Sequence, residues 1–494
     1  MNYKSWLLYF GGFVFFTFTR LSRILPTIPV TIVLSFILIL RFSRTCKSKT
    51  STLLIFSGFL VSINVALWGM FDTSSLFFNI IRSSLLALLY FIPFWLDKKL
   101  YKKFGNNKFR STFIFPVITT AVFYLMTIEG PFEGAVQPAK FGFGSQVFLQ
   151  IWSVLGVFGF VFLTTWIVSV SNYLWDLWKK EDTESKKKSR RALLLAGIVI
   201  ASVYIFGLAK ISMTQDHFAE TVRVAAIVFE EEDVVPIASI LENAVVSPYQ
   251  ERLNAIEEKV IMASRNGAEI AITQEFAILI NESKQNDLRE ELSRIAVEND
   301  IYLSINYGYY VDGGKGENKQ VLIDNNGQYI IDYSKKYLLG IGDIGETAVF
   351  KKGPEVLQFA DTPYGRISVS VCREMDMAKY MIQAGQNNVD LMLSSSYEFP
   401  NAWEPNCTTR AFENGFSVVR AAYNGCSHSQ DFNGKIIDTM LYDDPQGIMY
   451  TNLPTRGVKT LYPYIGHSIG RIALGTLLIM FAYLVFYKLY KRKN

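Results

Sequence analysis

Long apolar stretches constrain this chain more than any other feature. Eight occur, at about residues 5–20, 24–40, 52–71, 76–96, 111–128, 147–171, 192–212 and 466–487. A helix of roughly 17 to 25 apolar residues crosses the hydrocarbon of a bilayer and satisfies its own backbone polar groups there, so the chain reads as a multi-span α-helical membrane protein. The first stretch is short. A cleaved signal peptide is the alternative at that place, but no small-residue cleavage site follows "FFTFTRLSRILP". Residues 213–465 break the pattern and carry most of the acidic residues in a mixture of types suited to a soluble domain. The expected organisation is a seven-span domain over 1–212, a soluble domain over 213–465, and a final span with a basic tail over 466–494.

Basic loops remain cytoplasmic, which orients the spans. Loop 41–50 has four Lys or Arg, 97–110 has six, 176–191 has seven and the tail 488–494 has four, whereas 129–146 has only Lys140. The alternation places both termini inside and 213–465 on the opposite side of the membrane. The net charge of +5 is then largely a topology signal and gives no reason to expect nucleic acid. Arg82, inside the fourth stretch, is either a functional intramembrane charge or a side chain that snorkels to the interface. Loop 129–146 is rich in Gly and Phe and reads either as the lining of a lipid entrance or as a plain interfacial turn. Three cysteines in the soluble region, Cys372, Cys407 and Cys426, are too few for a disulfide framework. Cys407 with Cys426 could pair, and the sequence leaves that open.

Within 213–465, "VRVAAIVF" after Thr221 is the continuous apolar run of a strand buried on both faces. A helix follows from Ser247-Pro248 to Gly267, with Leu253, Ile256, Val260 and Ile261 on one face. Further strands are expected at 269–275 and 301–310, with an amphipathic helix over 283–298 between them. "NKQVLIDNNGQYIIDYSKKYL" reads as a hairpin turning at Asn325-Asn326-Gly327. Beyond it come a further strand leading into "TPYGRISVSVC", which ends at Cys372, a helix over 375–386, a strand "DLMLSSS", a helix near 406–415, a strand "FSVVRAAYNG" and a last hairpin at Asn433-Gly434. This order predicts a layered α/β domain with sheets packed on each other and helices outside.

Three polar residues end predicted strands: Glu275, Lys335 and Cys372. Each alone also fits a bland role, as a solvated strand end, a turn lysine or a small buried thiol. Together they make chemistry. A thiol attacks an acyl carbon as thiolate; Glu275 can take its proton, and Lys335 can stabilise both the thiolate and the oxyanion of a tetrahedral intermediate.

In order and spacing, Glu275, the Tyr-x-Lys-x-x-Leu set of Tyr333, Lys335 and Leu338, and Cys372-Arg373-Glu374 resemble the nitrilase, or carbon–nitrogen hydrolase, superfamily. "TTRAFENGFSVVRAAYNG" (408–425) is similar to that superfamily's Arg-Ala-x-Glu-Asn stretch. The resemblance implies an α-β-β-α sandwich with Glu275, Lys335 and Cys372 as a catalytic triad and no cofactor or metal. Seven spans before such a domain and one after it resemble the bacterial apolipoprotein N-acyltransferase family. That implies an inner-membrane enzyme with an extracytoplasmic catalytic domain, a phospholipid as acyl donor and a lipoprotein amine as acceptor. By the same resemblance Glu374 and Asp343 are supporting acids, with Glu346 able to substitute for Asp343. The chain departs from the family at Gln274, where a proline is usual, at Arg373, where an aromatic is usual, and in "SSSYEFPNAWEP". A membrane-tethered amidase with the same triad is the competing reading, and a catalytically degenerate scaffold a third.

Overall fold

A computed structural model describes residues 2–19, 28, 30–46, 50–67, 76–105, 108–129, 145–180, 182–229, 246–341, 344–402, 406–441, 444 and 447–493. The chain forms two compact units, Met1–Lys210 with Ile465–Asn494, and Ile211–Tyr464.

The first unit is helical, with a helix at each of the eight apolar stretches. Among the described residues, five are long and apolar enough to cross a membrane: Ile80–Phe104, Phe109–Thr127, Trp152–Trp178, Thr183–Met213 and Tyr462–Lys491. The helices Tyr3–Thr17 and Thr31–Thr45 have 15 residues each, and Ser51–Ala66 has 16. At 1.5 Å per residue each is roughly 22–24 Å long, short of a hydrocarbon core of about 30 Å. The stretch 147–171 is interrupted: a short helix Gln146–Leu149 precedes Trp152–Trp178, and Gly156 there adopts φ 63°, ψ −177°. Aromatic edges and faces fill the interior. Phe16 meets Phe36, Phe59 and Tyr90, and Phe94 meets Phe36, Phe59 and Phe115. Two arginines are neutralised between helices, Arg41 by Asp176 at 2.6 Å and Arg44 by both oxygens of Asp97 at 2.8 Å. Arg82 is half-buried, and residues 130–144 of the 129–146 loop lie outside the described residues.

The second unit contains strands β1 (Thr221–Ile227), β2 (Ile270–Thr273), β3 (Ile278–Asn281), β4 (Tyr302–Tyr310), β5 (Glu317–Ile323), β6 (Tyr329–Ser334), β7 (Gly340–Ile341), β8 (Ile344–Gly345), β9 (Phe359–Thr362), β10 (Gly365–Val371), β11 (Leu391–Ala402), β12 (Ser417–Gly425), β13 (Ser427–Gln430), β14 (Ile436–Met440) and β15 (Ile448–Pro454). One sheet runs β15-β1-β2-β4-β5-β6 with β3 beside β4; the other runs β14-β13-β12-β11-β10-β9. Their inner faces share a continuous apolar core that includes Ile227, Ile272, Ile305, Val369, Leu393 and Val419. Helix Tyr249–Arg265 buries Leu253, Ile256, Val260 and Ala263, so Ala263 takes the inward place expected of Ile261. Helix Gln285–Glu298 buries Leu288, Leu292, Ile295 and Ala296. On the other sheet, helix Ala378–Gln386 buries Tyr380, Met381 and Ala384. The result is the layered α/β sandwich that the strand order predicts.

Four strands were not read from the sequence: β3, β15 and the two-residue β7 and β8. β3 is a four-residue run after a turn, and β15 closes the first sheet antiparallel to β1, with Ala225 opposite Tyr450. The helix expected over 375–386 begins at Ala378 because a 3₁₀ turn, Cys372–Asp376, precedes it. That turn shapes the site.

Candidate active site

The strand ends bring two of the three sequence candidates into direct contact. Lys335, just past β6, donates to Glu275 Oε1 at 2.7 Å, and both side chains are buried. The third, Cys372, stands at the end of β10 and interacts electrostatically with both. Its sulfur lies 3.6 Å from the carbonyl of Tyr397 on β11, and the N–H of the same Tyr397 donates to Glu275 Oε2 at 2.9 Å. The backbone of one residue, Tyr397, therefore contacts both thiol and carboxylate.

Glu346 is the second carboxylate on Lys335, at 2.8 and 2.9 Å, and it also accepts the N–H of Leu339 at 2.6 Å. Asp343 lies outside the described residues. A polar chain braces the cluster: Asn318 donates to Glu275 at 2.8 Å and to Glu346 at 3.1 Å, Asn306 donates to Asn318 at 2.9 Å, and Asn306 accepts the N–H of Phe276 at 2.6 Å. Asn306 and Asn318 went unnoticed in the sequence. The signal available was a polar residue in each of two buried strands, "SINYGYY" and "ENKQVLI".

Lys335 and Lys336 both lie past the end of β6 and take different environments. Lys335 is 2% exposed, while Lys336 reaches outward to Glu355 at 3.5 Å. Gln274, in the family's proline position, uses what a proline lacks. Its N–H donates to Ile227 at 3.1 Å and its side-chain oxygen accepts the N–H of Phe229 at 2.8 Å, extending the join between β1 and β2.

Glu374 does not touch the lysine. It accepts N–H groups from Lys336 at 2.7 Å and Val371 at 2.8 Å, together with the Tyr333 hydroxyl. The lysine-bearing turn is thereby tied to the cysteine-bearing turn. The tie has strain to hold, because Cys372 has φ 50°, a left-handed conformation that costs a non-glycine residue about 1–3 kcal/mol. Burial pushes the Glu374 carboxyl up to about 7 while its donors pull it down. Glu374→Gln presents an NH₂ to groups that are themselves donors. It is expected to lower the unfolding free energy of the full-length protein by about 1–3 kcal/mol, read from denaturant unfolding in detergent.

Electrostatics assign the resting protons. Burial disfavours the Lys335 cation, but Glu275, Glu346 and Cys372 outweigh that and hold its ammonium well above the ordinary lysine range. Burial raises Glu275, Lys335 opposes this, and Glu346 adds to it, leaving the carboxyl above the usual carboxylate range. Burial and Glu275 push the Cys372 thiol up, against Lys335. Burial and Glu275 keep the thiol neutral, and the neighbouring acids keep the lysine charged. A reaction that uses Glu275 as base needs it ionised, so its rate is expected to rise with pH through a limb whose midpoint lies above the ordinary carboxyl value of 4.5. A pH profile of the acylation step checks this, and the limb is absent in Glu275→Gln.

Residues 236–462 match the carbon-nitrogen hydrolase family. Among curated relatives, the deaminated glutathione amidase of Mus musculus is 25% identical over 219 residues, which are 39% of this chain and 68% of that one. The deaminated glutathione amidase of Synechocystis sp. is 25% identical over 207 residues, 36% of this chain and 74% of that one. Among solved structures, an amidase from Nesterenkonia sp. superposes at 18% identity with a TM-score of 0.40, covering 48% of this chain and 91% of that chain.

Proposed function

We propose that the carbon–nitrogen hydrolase domain carried by residues 236–462 works as a membrane-held N-acyltransferase, passing a fatty acyl chain from a phospholipid through Cys372 to the N-terminal amine of a lipoprotein. The observation that carries this reading is the joint presence of a Glu275–Lys335–Cys372 cluster and five helices long and apolar enough to cross a membrane. An acyl chain favours burial by roughly 0.8 kcal/mol per CH₂. An enzyme that draws its substrate from the bilayer avoids extracting that chain into water, which gives a hydrolase-type domain a reason to carry such helices. The basic loops are the reason to propose an extracytoplasmic domain, and the resemblance to the apolipoprotein N-acyltransferase family is the reason to propose a bacterial inner membrane.

The cluster supplies what each step needs. Glu275 removes the Cys372 proton as sulfur attacks the ester carbonyl carbon, and Lys335 stabilises the oxyanion that forms. Collapse breaks the bond to the glycerol oxygen, which takes the proton back from Glu275 and leaves as a lysophospholipid. The amine then attacks the thioester carbonyl, gives a proton to Glu275, and expels the sulfur, which is reprotonated. An amide forms and the enzyme returns to its starting state.

The matched curated relatives are named as amidases, which favours a second reading with the same thioester: water as acceptor and an amide as donor. The acceptor decides between them. Full-length protein in mixed micelles with phospholipid and a diacylglyceryl-cysteinyl peptide is expected to give N-acylated peptide and lysophospholipid in equal amounts. Ammonia release from small amides without peptide acylation would replace the transferase by the amidase.

A further inference from the structure

A cleft of about 460 Å³ opens in the helical unit between Lys103 and Phe104, Arg110 and Ile114, and Met480 and Tyr483. Three elements form it: the end of helix Leu76–Phe104, the 3₁₀ turn Phe109–Phe113 leading into helix Ile114–Thr127, and helix Ser468–Lys493. Two of its six lining residues are cations and none is acidic.

Both cations are exposed, whereas several other basic residues of this unit are matched to an acid. Arg41 is matched to Asp176, Arg44 to Asp97 with its guanidinium over the Tyr101 ring at 3.8 Å, and Lys188 to Glu184. Among the described residues, no ion pair of the helical unit includes Lys103 or Arg110. The other four lining residues are Phe104, Ile114, Met480 and Tyr483, and an aromatic ladder starts from Tyr483. The Tyr483 ring lies 5.7 Å from Phe104 and stacks on Tyr487 at 6.1 Å, and Lys491 lies 5.8 Å from the Tyr487 ring. Rings and basic side chains at the ends of apolar helices mark the headgroup level of a bilayer. Basic pockets between helices on the cytoplasmic side suit anionic lipid headgroups.

We propose that this cleft binds an anionic phospholipid, with Lys103 and Arg110 on the phosphate and with Ile114, Met480 and Tyr483 against the glycerol and upper acyl chain. Free phosphate would leave four of the six lining residues without a role. A zwitterionic headgroup brings a cation of its own, and no lining carboxylate receives it. The site is separate from the Cys372 cluster and rests on the membrane reading of the helices.

The test uses the full-length protein in detergent, titrated with phosphatidylglycerol or phosphatidylcholine and read by native mass spectrometry. Phosphatidylglycerol is expected to stay bound at concentrations where phosphatidylcholine does not. Removing both cations in Lys103→Gln/Arg110→Gln is expected to weaken its retention about tenfold or more, while Lys186→Gln/Lys187→Gln, which removes the same charge from an exposed part of helix Thr183–Met213, leaves it unchanged. Equal retention of the two lipids, equal loss in the two double variants, or displacement by millimolar inorganic phosphate overturns the proposal. A protein that stays with membranes but shows no lipid preference overturns the cleft alone, whereas one released from membranes by alkaline carbonate without detergent overturns the membrane reading with it.

Discussion

Lys335→Met is expected to slow formation of the Cys372 thioester by about a hundredfold or more, and Lys336→Met to change it little. The loss follows from deleting an ammonium that faces the developing oxyanion, an effect of roughly 2.7–4 kcal/mol for comparable donors. The contrast follows from geometry, since Lys335 is buried on two carboxylates and Lys336 points outward to Glu355. Removing the cation also leaves Glu275 and Glu346 buried together without it, and breaking a buried pair in this way can cost 3–5 kcal/mol of stability. Lys335→Met/Glu346→Gln removes one positive and one negative charge and separates the two effects. The double variant is expected to regain stability over the single one and to remain as slow. Recovery of rate along with stability would show that Lys335 acts through folding and not on the oxyanion.

Cys372→Ala is expected to reduce turnover by about four orders of magnitude or more, as loss of a nucleophile does, while Cys426→Ala leaves it nearly unchanged. Cys426 is a free thiol just before β13, 3.4 Å from the Ser427 carbonyl, and burial pushes it up. The side chain of Cys407 lies outside the described residues. Alanine at position 372 keeps the left-handed turn that Glu374 holds, so the unfolding midpoint of Cys372→Ala should stay close to that of the unaltered protein. A comparable loss of turnover in Cys426→Ala would point to a structural role for the thiols.

The sandwich was legible because its strands advertise themselves. "VRVAAIV" and "ISVSV" are continuous or alternating apolar runs, and "DNNGQ" admits only a tight turn between the strands beside it. β3 and β15 were not legible, since four residues of "ILIN" have no period to read and β15 is defined by pairing with a strand more than two hundred positions earlier. The eight apolar stretches all became helices, but run length does not report where a helix ends, and three of them stop at 15 or 16 residues. At the site, Glu275, Lys335 and Cys372 were visible because they end predicted strands and their order and spacing resemble the nitrilase superfamily. Asn306 and Asn318 sit within strands, where their inward direction depends on a register that only the pairing of β4 with β5 sets. Glu346 follows a glycine-rich segment with no periodicity, and its place on Lys335 depends on how that segment folds back. The N–H and C=O of Tyr397 belong to the backbone, which has no sequence signature.

The most direct measurement is mass spectrometry of the Cys372 peptide from full-length protein purified out of membranes. A long-chain acyl mass on Cys372 that disappears on hydroxylamine treatment, and is absent from Cys372→Ala, is the predicted result. An unmodified Cys372 in protein that has been supplied with phospholipid and given no acceptor would contradict the account.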